Sequence, residues 1–279
     1  MTQTMGSSRF VTVDGQQTWL EEDGAGEPVL LLHGSGPGVS AAANWRFTIP
    51  SLAARGLRVI APDQLGFGRT VPPDDYEYSF DRWVAHALGL LDELGLESVD
   101  LVGNSFGGAV ALRIAARYPE RVRRLVLMGS VGVPFRLTDG LDRAWGYNPS
   151  VDEMADLMTI FAYDSSPFGR DLAEQRYLAS IQDGADRRFA SMFPAPRQRW
   201  VDALCTPFSE IAEVRARTLL VHGLDDRVIP IETTLTLARV LPDARAHLFS
   251  RCGHWTQLER TKEFNELVGA FLSSTDSQP

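Results

Sequence analysis

Val99-Asp100-Leu101-Val102-Gly103-Asn104-Ser105-Phe106-Gly107-Gly108-Ala109-Val110-Ala111-Leu112 changes character halfway along. Its first half is a short apolar run of strand type, and its second half is rich in Ala and Leu at helical spacing. The junction, Gly103-Asn104-Ser105-Phe106-Gly107, is a Gly-x-Ser-x-Gly turn of the kind called a nucleophile elbow. So tight a turn forces its serine into a strained backbone conformation. Glycines at 103 and 107 let the two segments pass without a Cβ clash. Ser105 is therefore expected above the end of a strand. It would sit at the amino end of a helix, whose free N–H groups favour a developing negative charge. The pentapeptide also recurs by chance in glycine-rich turns; the strand before it and the helix after it give it weight.

On both sides of this stretch the same alternation repeats. Pro28–Leu32 is a continuous apolar run, as expected of a strand covered on both faces, and Leu57–Pro62 and Val122–Gly129 read as further strands of the same sheet. Between them, Phe80–Leu94 places Trp83, Val84, Ala87, Leu88 and Leu91 on one side of a helix that Gly95 stops, and Pro119 ends the elbow helix. Ahead of them, Arg9–Val13 and Gln16–Glu22 form a hairpin about Asp14-Gly15. The pattern predicts an α/β fold with a mostly parallel central sheet and helices on both faces. The rhythm breaks from about Gly132 to Ala203, where Met154, Leu157, Met158 and Phe161, then Leu172, Tyr177, Leu178 and Ile181, keep helical spacing with no strand between them. Residues 133–202 are accordingly expected to be a helical cap. It is inserted after the strand that follows the elbow helix, in a core made of residues 1–132 and 203–279. Strand character returns at Thr218–Gly223 and Ala246–Phe249, a last helix covers Thr261–Leu272, and the tail from Ser273 is expected to fray.

Composition narrows the chemistry. At 279 residues, 44% hydrophobic and 23% charged, the chain has the make-up of a soluble protein with a full core. A net charge of −9 disfavours nucleic acid and anionic membrane surfaces as partners. A small anionic substrate stays open, because one arginine in a pocket outweighs a distant field. Lys262 is the only lysine, which removes Schiff-base and phosphate-loop chemistry. Cys205 and Cys252 make neither a disulfide framework nor a metal cluster and fit buried thiols in a reducing compartment. Met1–Phe10 lacks the layout of a secretory signal and no apolar run approaches the ~20 residues of a membrane span, so a cytoplasmic protein is expected. No metal site is expected, and without Gly-x-Gly-x-x-Gly opening the first helix, no dinucleotide.

A serine hydroxyl needs a base, and the base a group to hold it. Sites in α/β sheets lie at the carboxyl ends of strands. The loop after Thr218–His222 offers two adjacent acids, Asp225 and Asp226, and spacing alone leaves the choice open. The loop after the last strand carries Gly253-His254-Trp255, the one histidine at the right topological address. His86 and His247 fall within a helix and a strand, and His222 at a strand end; all three read as structural. His33 belongs to His33-Gly34-Ser35-Gly36-Pro37-Gly38, where a positioning role is expected. So bare a loop aims backbone N–H groups at a ligand, and the N–H groups of Phe106 and Ser35 are the expected oxyanion donors.

Taken together, this loop with Asn44-Trp45, the Gly103–Gly108 turn, Gly223–Pro230 and Cys252-Gly253-His254-Trp255 resemble the meta-cleavage product hydrolases of the α/β-hydrolase superfamily. The likeness is greatest to the branch acting on 2-hydroxymuconic semialdehyde and its 6-alkyl relatives. It extends into the cap through Phe161–Asp164 and Met192–Pro194. The resemblance implies a triad of Ser105, Asp226 and His254 and an oxyanion hole at Ser35 and Phe106. It further implies a dienoate site at Gly36, Asn44, Asn104, Ser166, Arg176 and Trp255. Arg176 suits that role because a guanidinium grips a carboxylate through two parallel hydrogen bonds. The implied reaction ketonises a 2-hydroxy-6-oxo-hexa-2,4-dienoate and then hydrolyses its C5–C6 bond without a cofactor, through an acyl-serine or a gem-diol. A homodimer or larger homo-oligomer is implied as well. Val131, Val201 and Ile229 are expected beside the C6 substituent. A carboxylesterase or lactonase with the same triad, or a non-catalytic receptor on the same fold, are the rival readings.

Overall fold

The computed structural model describes residues 6–274, so the expectations for residues 1–5 and for the tail beyond Ser274 fall outside the described residues. The eight strands are β1 (Ser7–Val13), β2 (Gln16–Asp23), β3 (Glu27–Leu32), β4 (Leu57–Pro62), β5 (Val99–Asn104), β6 (Val122–Met128), β7 (Arg217–Gly223) and β8 (Ala244–Phe249). They form one sheet in the order β1-β2-β4-β3-β5-β6-β7-β8. The β1–β2 and β2–β4 pairs are antiparallel and all others parallel. The chain leaves β3 towards β4 on one side and returns to β5 on the other. The crevice for a ligand therefore opens above the carboxyl ends of β3 and β5.

The helices are α1 (Ala41–Trp45), α2 (Thr48–Ala53), α3 (Phe80–Glu93) and α4 (Phe106–Arg117); then α5 (Asp139–Trp145), α6 (Val151–Phe161), α7 (Arg170–Ile181), α8 (Ala185–Met192) and α9 (Gln198–Ala203); then α10 (Phe208–Ile211), α11 (Glu232–Val240), α12 (Thr256–Glu259) and α13 (Thr261–Leu272). Among the described residues no strand lies between β6 and β7, as the spacing predicts. The short helices α1, α2, α10 and α12, and the Thr-rich α11, are additions to that prediction.

Alternation within β3 explains its unbroken apolar run. Val29 and Leu31 join a cluster with Trp45, Leu52, Phe264 and Val268, from α1, α2 and α13. Leu30 and Leu32 face the other way, into a cluster with Trp83 and Leu90 of α3 and Val110 and Ile114 of α4. The second cluster continues without a break into Leu141, Trp145, Met154, Phe161, Phe189 and Phe193 of the inserted helices and the turn after α8. Phe193 sits at the seam, stacked on Trp145 with ring centroids 4.4 Å apart and edge-on to Phe106 at 6.0 Å. The insertion thus shares its core with the face of the sheet that carries the elbow helix.

The elbow is as tight as its glycines imply. A Cβ on Gly103 would lie 2.5 Å from Gly107 O and Gly108 Cα, and one on Gly107 would overlap the carbonyl oxygens of Leu32 and His33. These neighbours are backbone and cannot swing aside. Gly103→Ala is therefore expected to destabilise the fold by roughly 3 kcal/mol or more, or to prevent folding. Denaturant titration beside the wild type checks this, and a variant within about 0.5 kcal/mol of wild type would contradict the packing described.

Candidate active site

Ser105 closes β5 with φ 53° and ψ −114°, a conformation costing a non-glycine residue about 1–3 kcal/mol. Its N–H donates to Met128 O at 2.9 Å, and its own carbonyl accepts from Gly108 N at 3.0 Å and Val131 N at 3.2 Å. The strained serine is thus pinned on both sides. Phe106 is the first residue of α4, in the turn where helix geometry leaves N–H groups without an intrahelical acceptor.

Asp226 lies in the turn after β7. Its Oδ1 accepts from the N–H groups of Val228 at 2.7 Å and Ile229 at 2.9 Å. Its Oδ2 is 2.7 Å from His254 Nδ1 and 3.2 Å from His222 Nε2. Burial opposes ionisation, but the facing charge of His254 and hydrogen bonds from His222 and His254 outweigh it, holding the carboxyl well below the ordinary carboxylate range. A carboxylate only accepts, so His254 Nδ1 carries a proton; in the neutral imidazole Nε2 is then the acceptor. His222 Nε2 likewise donates, to Ile229 O at 3.0 Å as well, while its Nδ1 faces Thr234 Oγ1 at 2.7 Å. His222 is structural as expected, yet it buttresses the acid directly, a link that sequence spacing does not reveal. Asp225 serves another purpose: its Oδ2 accepts from Cys252 N at 3.3 Å and ties the β7 loop to the β8 loop.

The His254 loop is fastened to the inserted helices. His254 N and Trp255 N both donate to Phe161 O, at 2.7 and 3.2 Å. Glu259 accepts from Gly253 N at 2.9 Å and Tyr163 N at 2.7 Å. His33 is positional: Nε2 accepts from Gln64 N at 2.9 Å, Nδ1 donates to Gly34 O at 2.8 Å, and burial brings its pKa down to about 4. Ser35 Oγ accepts from Trp145 Nε1 at 2.9 Å, so α5 steadies the glycine-rich loop.

One cavity gathers Ser35, Gly36, Asn44, Asn104, Ser105, Arg176, His254 and Trp255 in its lining. A larger groove lies off to one side, lined by Trp19, Arg69 and Arg188, and shares only Gly36 and Val39 with that cavity. Chemistry favours the smaller one, which holds the serine and the histidine. Asn104 Nδ2 donates to Met128 O at 3.3 Å. Arg176 lies over the Trp255 ring at 5.0 Å and reaches Pro37 O at 3.4 Å. Burial, aided by the positive charge of Arg46, lowers its pKa to about 10, so it stays cationic at neutral pH. Arg176 Nε and Asn44 Nδ2 are buried without a hydrogen-bond partner.

Two expectations need correcting. Ser166 is exposed and does not line the cavity; its N–H donates to Asp164 Oδ1 at 2.9 Å, which folds it into a surface turn. Val131, Val201 and Ile229 are fully buried in the core rather than in the lining, and the apolar wall is made by Leu141, Ala144, Phe161, Val228 and Leu258. Gln257 also lines the cavity and carries no sequence signal beyond its place beside His254-Trp255.

Known proteins bear on this arrangement. The sequence profile of the alpha/beta hydrolase fold family matches residues 27–261. A 2-hydroxy-6-oxo-2,4-heptadienoate hydrolase of Pseudomonas putida is 56% identical over 96% of this chain and 97% of its own. A 2-hydroxymuconate semialdehyde hydrolase of a Pseudomonas species is 54% identical over 96% and 95%. Among solved structures, a meta-cleavage product hydrolase from Pseudomonas fluorescens superposes with a TM-score of 0.94 at 49% identity, over 96% of this chain and 98% of that one.

Proposed function

Since the chain belongs to the α/β-hydrolase family and, within it, to the meta-cleavage product hydrolases, we propose that it hydrolyses the C5–C6 bond of 2-hydroxy-6-oxo-hexa-2,4-dienoates in aromatic degradation. The products are 2-hydroxypenta-2,4-dienoate and formate or a small carboxylic acid. One observation carries the reading: two buried donor atoms without a hydrogen-bond partner, Arg176 Nε and Asn44 Nδ2, belong to side chains that line the cavity holding Ser105 and His254. An ester or lactone offers such a cation only neutral acceptors, whereas a dienoate brings a carboxylate.

In this scheme Arg176 and Asn44 hold the carboxylate, Trp255 and Phe161 flank the diene, and Gly36 and Asn104 complete the wall. The substrate is ketonised with a proton delivered to C5, which gives the breaking bond an electron sink. His254 Nε2 takes the proton of Ser105, whose oxygen attacks the C6 carbonyl, or activates water for the same attack. The N–H groups of Phe106 and Ser35 stabilise the resulting oxyanion. Asp226 keeps His254 in the tautomer this requires. Residues 133–202 act as the cap. The free cysteines suit a cytoplasmic setting, and a homodimer or larger homo-oligomer is the assembly implied by family resemblance.

Bleaching of a yellow 6-oxo-dienoate, measured beside hydrolysis of a p-nitrophenyl ester, tests the reading. Ester hydrolysis without bleaching would reassign the chain to the esterases. Arg176→Leu is expected to lower kcat/KM for the dienoate about 10- to 100-fold while sparing any ester activity, with Arg176→Lys in between. Equal losses on both substrates would point to a packing role for Arg176.

A further inference from the structure

Three cavity-lining side chains carry a buried polar atom without a protein partner: Asn44 Nδ2, Arg176 Nε and Gln257 Oε1. The first two are donors and the third is an acceptor. A carboxylate consists of acceptors only. It answers Arg176 and Asn44 and leaves Gln257 Oε1 without a donor. Gln257 is 2% exposed; its side-chain Nε2 donates to Asn44 O at 3.4 Å, and its main-chain carbonyl accepts from Thr261 Oγ1 at 2.9 Å. Leaving a buried amide oxygen unpaired is unfavourable unless a ligand supplies the proton.

We propose that Gln257 determines specificity for the 2-hydroxyl of the dienoate: its Oε1 accepts a hydrogen bond from that hydroxyl while Asn44 Nδ2 and Arg176 hold the neighbouring carboxylate. This rests on the dienoate reading given above. The hydroxyl is the one donor at that end of the substrate, and it is bonded to the carbon next to the carboxylate. It therefore falls within reach of a residue already hydrogen-bonded to Asn44. A ligand without the hydroxyl leaves the acceptor dry, and a 2-oxo tautomer sets one acceptor against another. Sites built to pair with a ligand hydroxyl reject analogues lacking it far more strongly than apolar pockets reject a missing methylene.

The test is direct binding of two probes, 2-hydroxypenta-2,4-dienoate and penta-2,4-dienoate, to the full chain and to Gln257→Leu, followed by tryptophan fluorescence. Gln257→Met, closer in shape, is the second variant should the first fold poorly. The wild type is expected to bind the hydroxylated probe about 10- to 100-fold more tightly. Either variant should bring that ratio near one, leave the affinity for the other probe unchanged, and lower Tm by little, because Oε1 has no protein partner and the one bond lost with Nε2, to Asn44 O, is long at 3.4 Å. A ratio that survives both substitutions overturns the role of Gln257 alone. So does an equal weakening of both probes with a strongly lowered Tm, which marks a purely structural residue. Failure of the wild type to bind either probe overturns the dienoate reading, and the inference with it.

Discussion

Ser105→Ala is expected to lose on the order of 10⁴–10⁶ in kcat while still binding the dienoate. Alanine keeps the Cβ that strains this position, at φ 53°, and both backbone anchors involve main-chain atoms only. The fold is therefore spared and the loss is chemical. Arg176 and Asn44, the groups proposed to hold the carboxylate, stay in the cavity lining when the oxygen is removed. Single-turnover absorbance would then show bound substrate that is not released as product. Product release near the wild-type rate would overturn the assignment of the nucleophile.

Asp226→Asn is expected to cost about 10⁴ in kcat for a different reason. The N–H groups of Val228 and Ile229 at 2.7 and 2.9 Å both point at one side-chain oxygen. An asparagine would keep its oxygen there and turn its NH2 towards His254 and His222. His254 would then have to accept at Nδ1 and carry its proton on Nε2, the wrong tautomer for a base. His222 would meet the NH2 donor to donor, adding roughly 1–3 kcal/mol of destabilisation. Stability also acquires a sign with pH. The folded carboxyl titrates below its unfolded value of about 4, so its contribution is complete above that value and drains away as the pH falls beneath it. Denaturation midpoints between pH 3 and 7 should fall on the acid side for the wild type and less steeply for Asp226→Asn. Parallel curves would show that this carboxylate does not carry the acid sensitivity.

The parts of the fold that announce themselves in the sequence are those with period and length. Long amphipathic helices such as α3 and α13, and apolar strands such as β3 and β6, repeat often enough to be recognised. Four- to six-residue helices such as α1, α2 and α12 complete hardly more than one turn and leave no period to read. In Glu232–Val240, β-branched threonines mask the helical face. At the site, Ser105 and His254 were legible from strand ends, because topology alone brings those ends together. The choice of Asp226 over Asp225 needed resemblance first and the hydrogen bonds afterwards. Ser166 came from the resemblance alone, and its N–H is held by Asp164 in an exposed turn away from the cavity lining. Gln257 stayed invisible because an unpaired acceptor is a property of the surrounding space, not of the residue.

The two bonds from Phe161 O to the N–H groups of His254 and Trp255 have a mechanical consequence. The inserted helices and the His254 loop are riveted to each other at the end of α6. Swinging that end open like a hatch would pull the imidazole off its carboxylate, so substrate traffic and reactivity cannot both use that hinge. An opening that keeps the imidazole on its carboxylate would have to come from parts of the insertion away from that end of α6.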